Sequence, residues 1–159
     1  MIILGIDPGY ERLGIAILEK NKTDKKERVL YSECFKTKAS LEFNERLFLL
    51  GQKVKEVIEK YKPEVLSIET LFLTTNHKTV MGVAEARGVV IYEASRAQLK
   101  IFEVSPPQIK IATTGYGKAD KKDVMKMVRM LVDIDKDKKS DDELDAIAIA
   151  LTAFAHLKF

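Results

Sequence analysis

The stretch that most limits the fold is the N-terminal run Met1-Ile2-Ile3-Leu4-Gly5-Ile6-Asp7-Pro8-Gly9-Tyr10-Glu11-Arg12-Leu13-Gly14-Ile15-Ala16-Ile17-Leu18. Residues 2–6 are continuously apolar, the pattern of a strand covered on both faces and therefore of the centre of a sheet. Asp7 closes that run and is followed by Pro8-Gly9, a chain-reversing pair, before a second apolar strand over residues 13–18. A carboxylate at the end of a central strand is costly to bury alone, and calls for a cation, a donor cluster or a metal. The simpler role is to cap the turn through its own backbone. On this stretch alone both roles stand open.

At 159 residues the chain is expected to form one domain, residues 1–159, with a sizeable core. Its 46% hydrophobic and 32% charged content is that of a soluble globular protein. The apolar start is too short for a signal peptide and lacks a basic leader. No stretch approaches the roughly 20 apolar residues of a membrane span, so no membrane association is expected. Cys34 is the sole cysteine, which excludes an intrachain disulfide and a thiolate metal cage and fits a cytoplasmic location. The formal net charge of +3 is mild, but lysines crowd two stretches, around 20–28 and 118–126. The first reads as a solvated hairpin tip.

A third strand is expected near residues 29–35, with Cys34 packed in it. Ser40 is placed to cap a helix whose apolar positions, Phe43, Leu47, Leu50, Val54, Val57, Ile58 and Tyr61, follow steps of three and four until Pro63. A fourth strand over residues 64–69 finishes on Glu69. A helix crossing to a buried strand implies parallel pairing, most simply beside the first strand. Asp7 and Glu69 would then emerge at the same sheet end, where open α/β sheets carry their sites. Two carboxylates side by side repel unless a divalent metal neutralises them.

Residues 70–77 read as a loop with large apolar residues, Leu71 and Phe72 among them, next to the expected site. They either fold back on the core or offer a stacking platform for a base. His77 reads as a cap or an exposed loop residue. A helix over residues 78–96 carries Gly82, Ala84, Ala86 and Gly88, and glycine inside a helix costs ~1 kcal/mol against alanine. Close approach, against the sheet or a second copy of the chain, would recompense it. A fifth strand spans residues 100–104. Ser105-Pro106-Pro107-Gln108 then starts a short helix to about residue 112. Asp120 caps a helix over residues 121–131. Lysine in its first turn opposes the helix dipole, so Lys118, Lys121 and Lys122 are either placed for phosphate or simply solvated.

The last helix opens with Ser140 and Glu143 as a capping box. That explains most of the acids there, but not Asp145, one turn in on a nearly all-apolar helix. Asp142 or Asp141 shares a face with it. Three separated segments thus offer acids that could converge: Asp7, Glu69, and Asp142 with Asp145. Hard oxygen ligands suit Mg²⁺ or Mn²⁺ rather than zinc. A pair of such ions clamps the attacking and leaving oxygens of a phosphodiester displacement.

These residues carry a resemblance over nearly the whole chain. Gly5-Ile6-Asp7-Pro8-Gly9 with Gly14, then Ile68-Glu69-Thr70-Leu71-Phe72, Ala86-Arg87-Gly88-Val89 and Asp142-Glu143-Leu144-Asp145-Ala146-Ile147-Ala148-Ile149-Ala150, in this order and spacing, resemble the RuvC family of Holliday-junction resolvases. The resemblance implies an α/β, ribonuclease-H-like fold, a five-stranded mixed sheet flanked by helices. It implies that Asp7, Glu69, Asp142 and Asp145 bind two Mg²⁺ ions, with Mn²⁺ able to substitute, and it selects Asp142 over Asp141. It also implies that Lys121 acts near the scissile phosphate, that Lys110 contacts DNA, and that Phe72 stacks near the junction centre. Lys118 and Lys122 are DNA-binding candidates on charge and position alone. The implied activity is paired symmetric nicking of four-way DNA junctions in recombination and repair. The implied assembly is a homodimer with its seam at the small-residue helix around residues 82–91, and the implied partners are RuvA and RuvB. Two other classes share the scaffold. An actin-like kinase lobe would need a second lobe and phosphate loop that 159 residues do not hold. A non-cleaving relative would usually lack one of the four acids.

Overall fold

In the computed structural model, residues 1–21, 23–24, 26–71, 77–132 and 139–157 are described. They form strands β1 (Ile2–Asp7), β2 (Arg12–Glu19), β3 (Arg28–Lys36), β4 (Val65–Glu69) and β5 (Lys100–Val104), and helices α1 (Phe43–Tyr61), α2 (His77–Arg96), α3 (Pro106–Thr114), α4 (Lys121–Leu131) and α5 (Asp141–His156). The sheet order is β3-β2-β1-β4-β5. β1, β2 and β3 pair antiparallel through short connections, while β4 and β5, each reached through a helix, run parallel to β1. β1 is therefore central, as its unbroken apolar run requires, and Ile3, Leu4 and Ile6 are fully buried.

The two faces of the sheet bury different helices. Leu4, Ile6, Ile15, Ile17, Leu66 and Ile68 pack against Leu50, Val54 and Val57 of α1 and Ala86, Val90 and Ala94 of α2. Ile3, Ala16, Leu18 and Val65 pack against Ala146, Ile147, Ala150 and Ala153 of α5, with Val124 and Val128 of α4 beside them. No described helix is long and apolar enough to cross a membrane.

Three local expectations change. Ser40 does not cap α1. Leu41 N–H bonds to the Lys38 carbonyl at 3.2 Å, which draws Ser40 into a turn. The cap moves to Glu42, whose backbone N–H donates to the Glu45 carboxylate at 3.0 Å. As expected, α1 ends at Tyr61 before Pro63, with Lys62 as its cap, held at φ 49° with its N–H on the Ile58 carbonyl. α2 begins one residue early, at His77, and α3 runs on to Thr114, where Gly115 closes it in the left-handed region at φ 75°. The cost of Gly82 is met inside the chain: a Cβ there would lie 2.8 Å from the Tyr10 ring. A Cβ on exposed Gly88 would meet nothing within 4 Å among the described residues.

Candidate active site

Side chains alternate along a strand, so Ile3, Gly5 and Asp7 of β1 share one face with Val65, Ser67 and Glu69 of β4. That face is the one α5 covers, since the Ser67 hydroxyl donates to the Ile149 carbonyl at 2.8 Å. Ile6 lies opposite Ile68 in the parallel register, so Asp7 and Glu69 follow together at the strand ends. The turn after Asp7 is anchored from several sides. Tyr10 packs edge-on to Phe43 with ring centroids 5.4 Å apart and lies under the Arg46 guanidinium at 5.0 Å. Its carbonyl accepts from the Thr37 hydroxyl at 2.7 Å.

Two glycines let α5 reach these strand ends. A Cβ on Gly5 would stand 2.2 Å from the Ala146 carbonyl oxygen, and one on Gly14 would stand 2.3 Å from that of Asp142 and 3.1 Å from the Asp7 Cβ. The first turn of α5 therefore lies directly on the β1–β2 pair, and Asp142 is brought beside Asp7. Ser140 caps this helix as its capping box predicts. Glu143 belongs to that structural set: burial works against its charge, but bonds from Ser140 and Ser32 and the nearby Lys139 hold its carboxyl below the usual range.

Burial, followed by the charges of Asp145, Glu69 and Asp142, pushes the Asp7 carboxyl up from 3.8 to about 7, against the pull of Lys121. Glu69 is also raised, by burial and then by Asp145. Burial raises Asp145 too, although Lys121 Nζ donates to its Oδ2 at 2.9 Å. That bond in turn raises Lys121. Asp7 thus feels the charge of each of the other three acids. Asp141 is exposed, yet its charge also raises Asp145 and Lys121. A cleft of about 270 Å³ opens beside Asp7 and Glu69, walled by Pro8, Leu71, Val83 and Pro106. A second, of about 310 Å³, runs from Asp7 across Arg12 to Asp142.

Several contacts were not read from the sequence. Asp142 Oδ2 accepts from the Cys34 thiol at 3.3 Å and stands 3.8 Å from Arg12 Nη1. Burial, and then this bond, pushes the thiol up. Cys34 therefore touches a site carboxylate instead of only packing in its strand. Thr70 Oγ1, beside Glu69, is buried and has no hydrogen-bond partner among the described residues. No spacing rule announces the Asp142 contacts, because each joins residues far apart in the chain.

Of the DNA-binding candidates, Lys110 is half-buried on α3, while Lys118 and Lys122 are exposed near the start of α4. Lys121 reaches into the site instead, so its place in the first helical turn has a partner in Asp145. Phe72 lies outside the described residues, as does the side chain of His77.

Among the described residues, no group of three or more His, Cys, Asp or Glu side chains is arranged to hold a metal ion as it stands. The donor chemistry nevertheless fits a hard divalent cation. All four groups are carboxylates, and the most buried of them carries a charge that its surroundings oppose.

The sheet order, the helix-linked β4 and the acids at one sheet end define an α/β fold of the ribonuclease-H-like class. Residues 3–153 match the family described as crossover junction endodeoxyribonuclease RuvC. The chain belongs to the RuvC family and is thereby a nuclease. It is 40% identical over 151 residues to the crossover junction endodeoxyribonuclease RuvC of Halothermothrix orenii, covering 95% of this chain and 90% of that one. With the Thermosipho melanesiensis protein of the same name it shares 38% over 159 residues, the full length of both. Among solved structures, T. thermophilus RuvC in complex with Holliday junction substrate superposes with a TM-score of 0.91 at 31% identity, over 98% of this chain and 94% of that one. The yeast mitochondrial Holliday junction resolvase shares the fold, with a TM-score of 0.69 at 16% identity over 94% of this chain and 76% of that one.

Proposed function

We propose that the protein resolves four-way (Holliday) DNA junctions by paired symmetric nicks in strands of like polarity, with residues 1–159 acting as one nuclease domain. The observation that carries this reading is the meeting of Asp7, Glu69, Asp142 and Asp145 at one sheet end, with Asp7 raised to about 7. A cluster whose central carboxylate ionises reluctantly is built for added positive charge. Asp7, Glu69, Asp142 and Asp145 would hold two Mg²⁺ ions, or Mn²⁺ in their place. Those ions supply Lewis-acid stabilisation of the phosphodiester and activation of the attacking water. Asp7, on the rigid central strand, sets the position of the reacting phosphate relative to the other three acids. Lys121, with an ammonium that already reaches Asp145, steadies negative charge developing on that phosphate. Arg12 and Cys34 keep the Asp142 carboxylate aimed at Asp7.

Lys110, Lys118, Lys122 and Phe72 hold the junction arms and its centre. A homodimer joined along α2 provides the second active site for the paired nick, and exposed Gly88 leaves room there for a second backbone. RuvA and RuvB are the partners in this reading, and the setting is recombination and repair in the cytoplasm. The test is incubation of a synthetic four-way junction, and of linear duplex, with Mg²⁺ and the wild-type chain. Nicks at symmetric positions in the junction, with duplex left whole, are expected. Equal cutting of both substrates would replace the resolvase reading with a general nuclease.

A further inference from the structure

In the segment Ala86-Arg87-Gly88-Val89, Ala86 is buried in the core and Gly88 faces open space, while Arg87 turns toward the end of β4. Its Nε donates to the Glu69 backbone carbonyl at 3.0 Å, and its Nη2 meets the Glu103 carboxylate on β5 at 2.6 Å. The side chain is only 16% exposed. The same peptide group is held at its other end, where Thr70 N–H donates to the Val104 carbonyl at 2.8 Å. A planar peptide hydrogen-bonded at both its oxygen and its nitrogen is restrained from rotating about the soft bonds that flank it. The direction in which the Glu69 side chain leaves the strand is set by that grip. Thr79, Val83 and Arg87 recur every four residues along α2, and the first two line the clefts, so Arg87 is the last of a row on the cleft side. The charge of Arg87 is spent on Glu103 within the chain, which separates it from the exposed lysines expected to meet phosphate.

We propose that Arg87 is a positioning residue that, through its hydrogen bond to the Glu69 carbonyl, aims the Glu69 carboxylate at the divalent-cation site it shares with Asp7. The inference rests on the resolvase reading above, and its test separates the two. Partners that orient a metal ligand typically contribute ~10–100-fold in metal affinity or rate, and a lysine cannot reproduce the two-pronged geometry of a guanidinium.

The measurements are Mn²⁺ affinity of the DNA-free protein, single-turnover cleavage of a synthetic junction, junction affinity without divalent cation, and thermal midpoint. They are made on Arg87→Ala, Arg87→Lys and Glu103→Gln. Arg87→Ala is expected to lose about tenfold or more in both Mn²⁺ affinity and cleavage rate, with metal-free junction affinity within about twofold of wild type. Arg87→Lys recovers only part of the loss, and it carries the test if the alanine variant does not fold. Glu103→Gln leaves the carbonyl bond available and stays within about threefold of wild type in both quantities. Unchanged Mn²⁺ affinity in Arg87→Ala would overturn the proposal. So would an equal loss in Glu103→Gln, or a rate loss matched by lost junction affinity. A wild-type chain that binds Mn²⁺ yet leaves junctions whole would overturn the resolvase reading alone, because the Mn²⁺ titration still decides Arg87.

Discussion

Asp7 and Asp145 belong to one acidic site, yet the fold treats their charges differently. Asp7 sits at the end of a central strand, where burial and three other acids push it to about 7. Asp145 sits one turn into a helix and accepts a hydrogen bond from Lys121 at 2.9 Å. The strand-end acid is left to be neutralised from outside, while the helix acid already has a cation of its own. The difference separates a rigid part of the site, fixed by the sheet, from a part whose charge balance must change when a divalent ion or a phosphate arrives.

The largest effect tests the strand side. Asp7→Asn is expected to lower junction cleavage by at least about a thousandfold while leaving metal-free junction binding within about threefold. Cleavage at the wild-type rate would dissolve the distinction between the two acids. The same substitution has a stability counterpart with a definite sign. The native state holds its Asp7 proton up to about pH 7, whereas the unfolded chain releases it near 3.8, so metal-free stability declines as pH rises through that window. The span from 3.8 to about 7 bounds this penalty at roughly 4 kcal/mol above pH 7. Asp7→Asn should therefore raise the metal-free denaturation midpoint at pH 8 and leave it nearly unchanged at pH 3.5. Added Mg²⁺ should raise the pH 8 midpoint of the wild type far more than that of the variant.

Lys121→Ala sharpens the helix side. Cleavage should fall about 10–100-fold through lost charge stabilisation on the phosphate. Mn²⁺ affinity of the DNA-free protein should instead rise severalfold, because an ammonium no longer competes for the Asp145 oxygen. If both quantities fell together, Lys121 would be holding the site's shape rather than balancing its charge. The smallest effect concerns the contact that joins the two parts. Gly14→Ala drives a Cβ to within 2.3 Å of the Asp142 carbonyl. It should destabilise the fold by about 1–3 kcal/mol, read as a lower denaturation midpoint. A neutral outcome would mean that α5 can shift off β2 without cost.

Much of this was legible in the sequence because the signals are local. The apolar run ahead of Asp7 identifies a doubly covered strand, and β1 is central. Asp120 and Ser140 cap the helices that their spacing assigns to them. Where a competing local interaction existed, the reading slipped: Ser40 was the better cap by residue type, but a turn claimed it and Glu42 took the position. Gly82 shows the same limit. Its need for a close neighbour was readable, while the identity of that neighbour, Tyr10, was not.

By itself the sequence determined the elements, their order, and the placing of Asp7 and Glu69 at strand ends, because periodicity and capping act over a few residues. Only the tertiary structure decided that Gly5 and Gly14 admit α5 onto the sheet, that Lys121 answers Asp145, that Cys34 and Arg12 attend Asp142, and that Arg87 grips the Glu69 carbonyl. Those contacts join segments tens of residues apart. Excluded volume and burial between packed surfaces select them, and no local pattern along the chain records that selection.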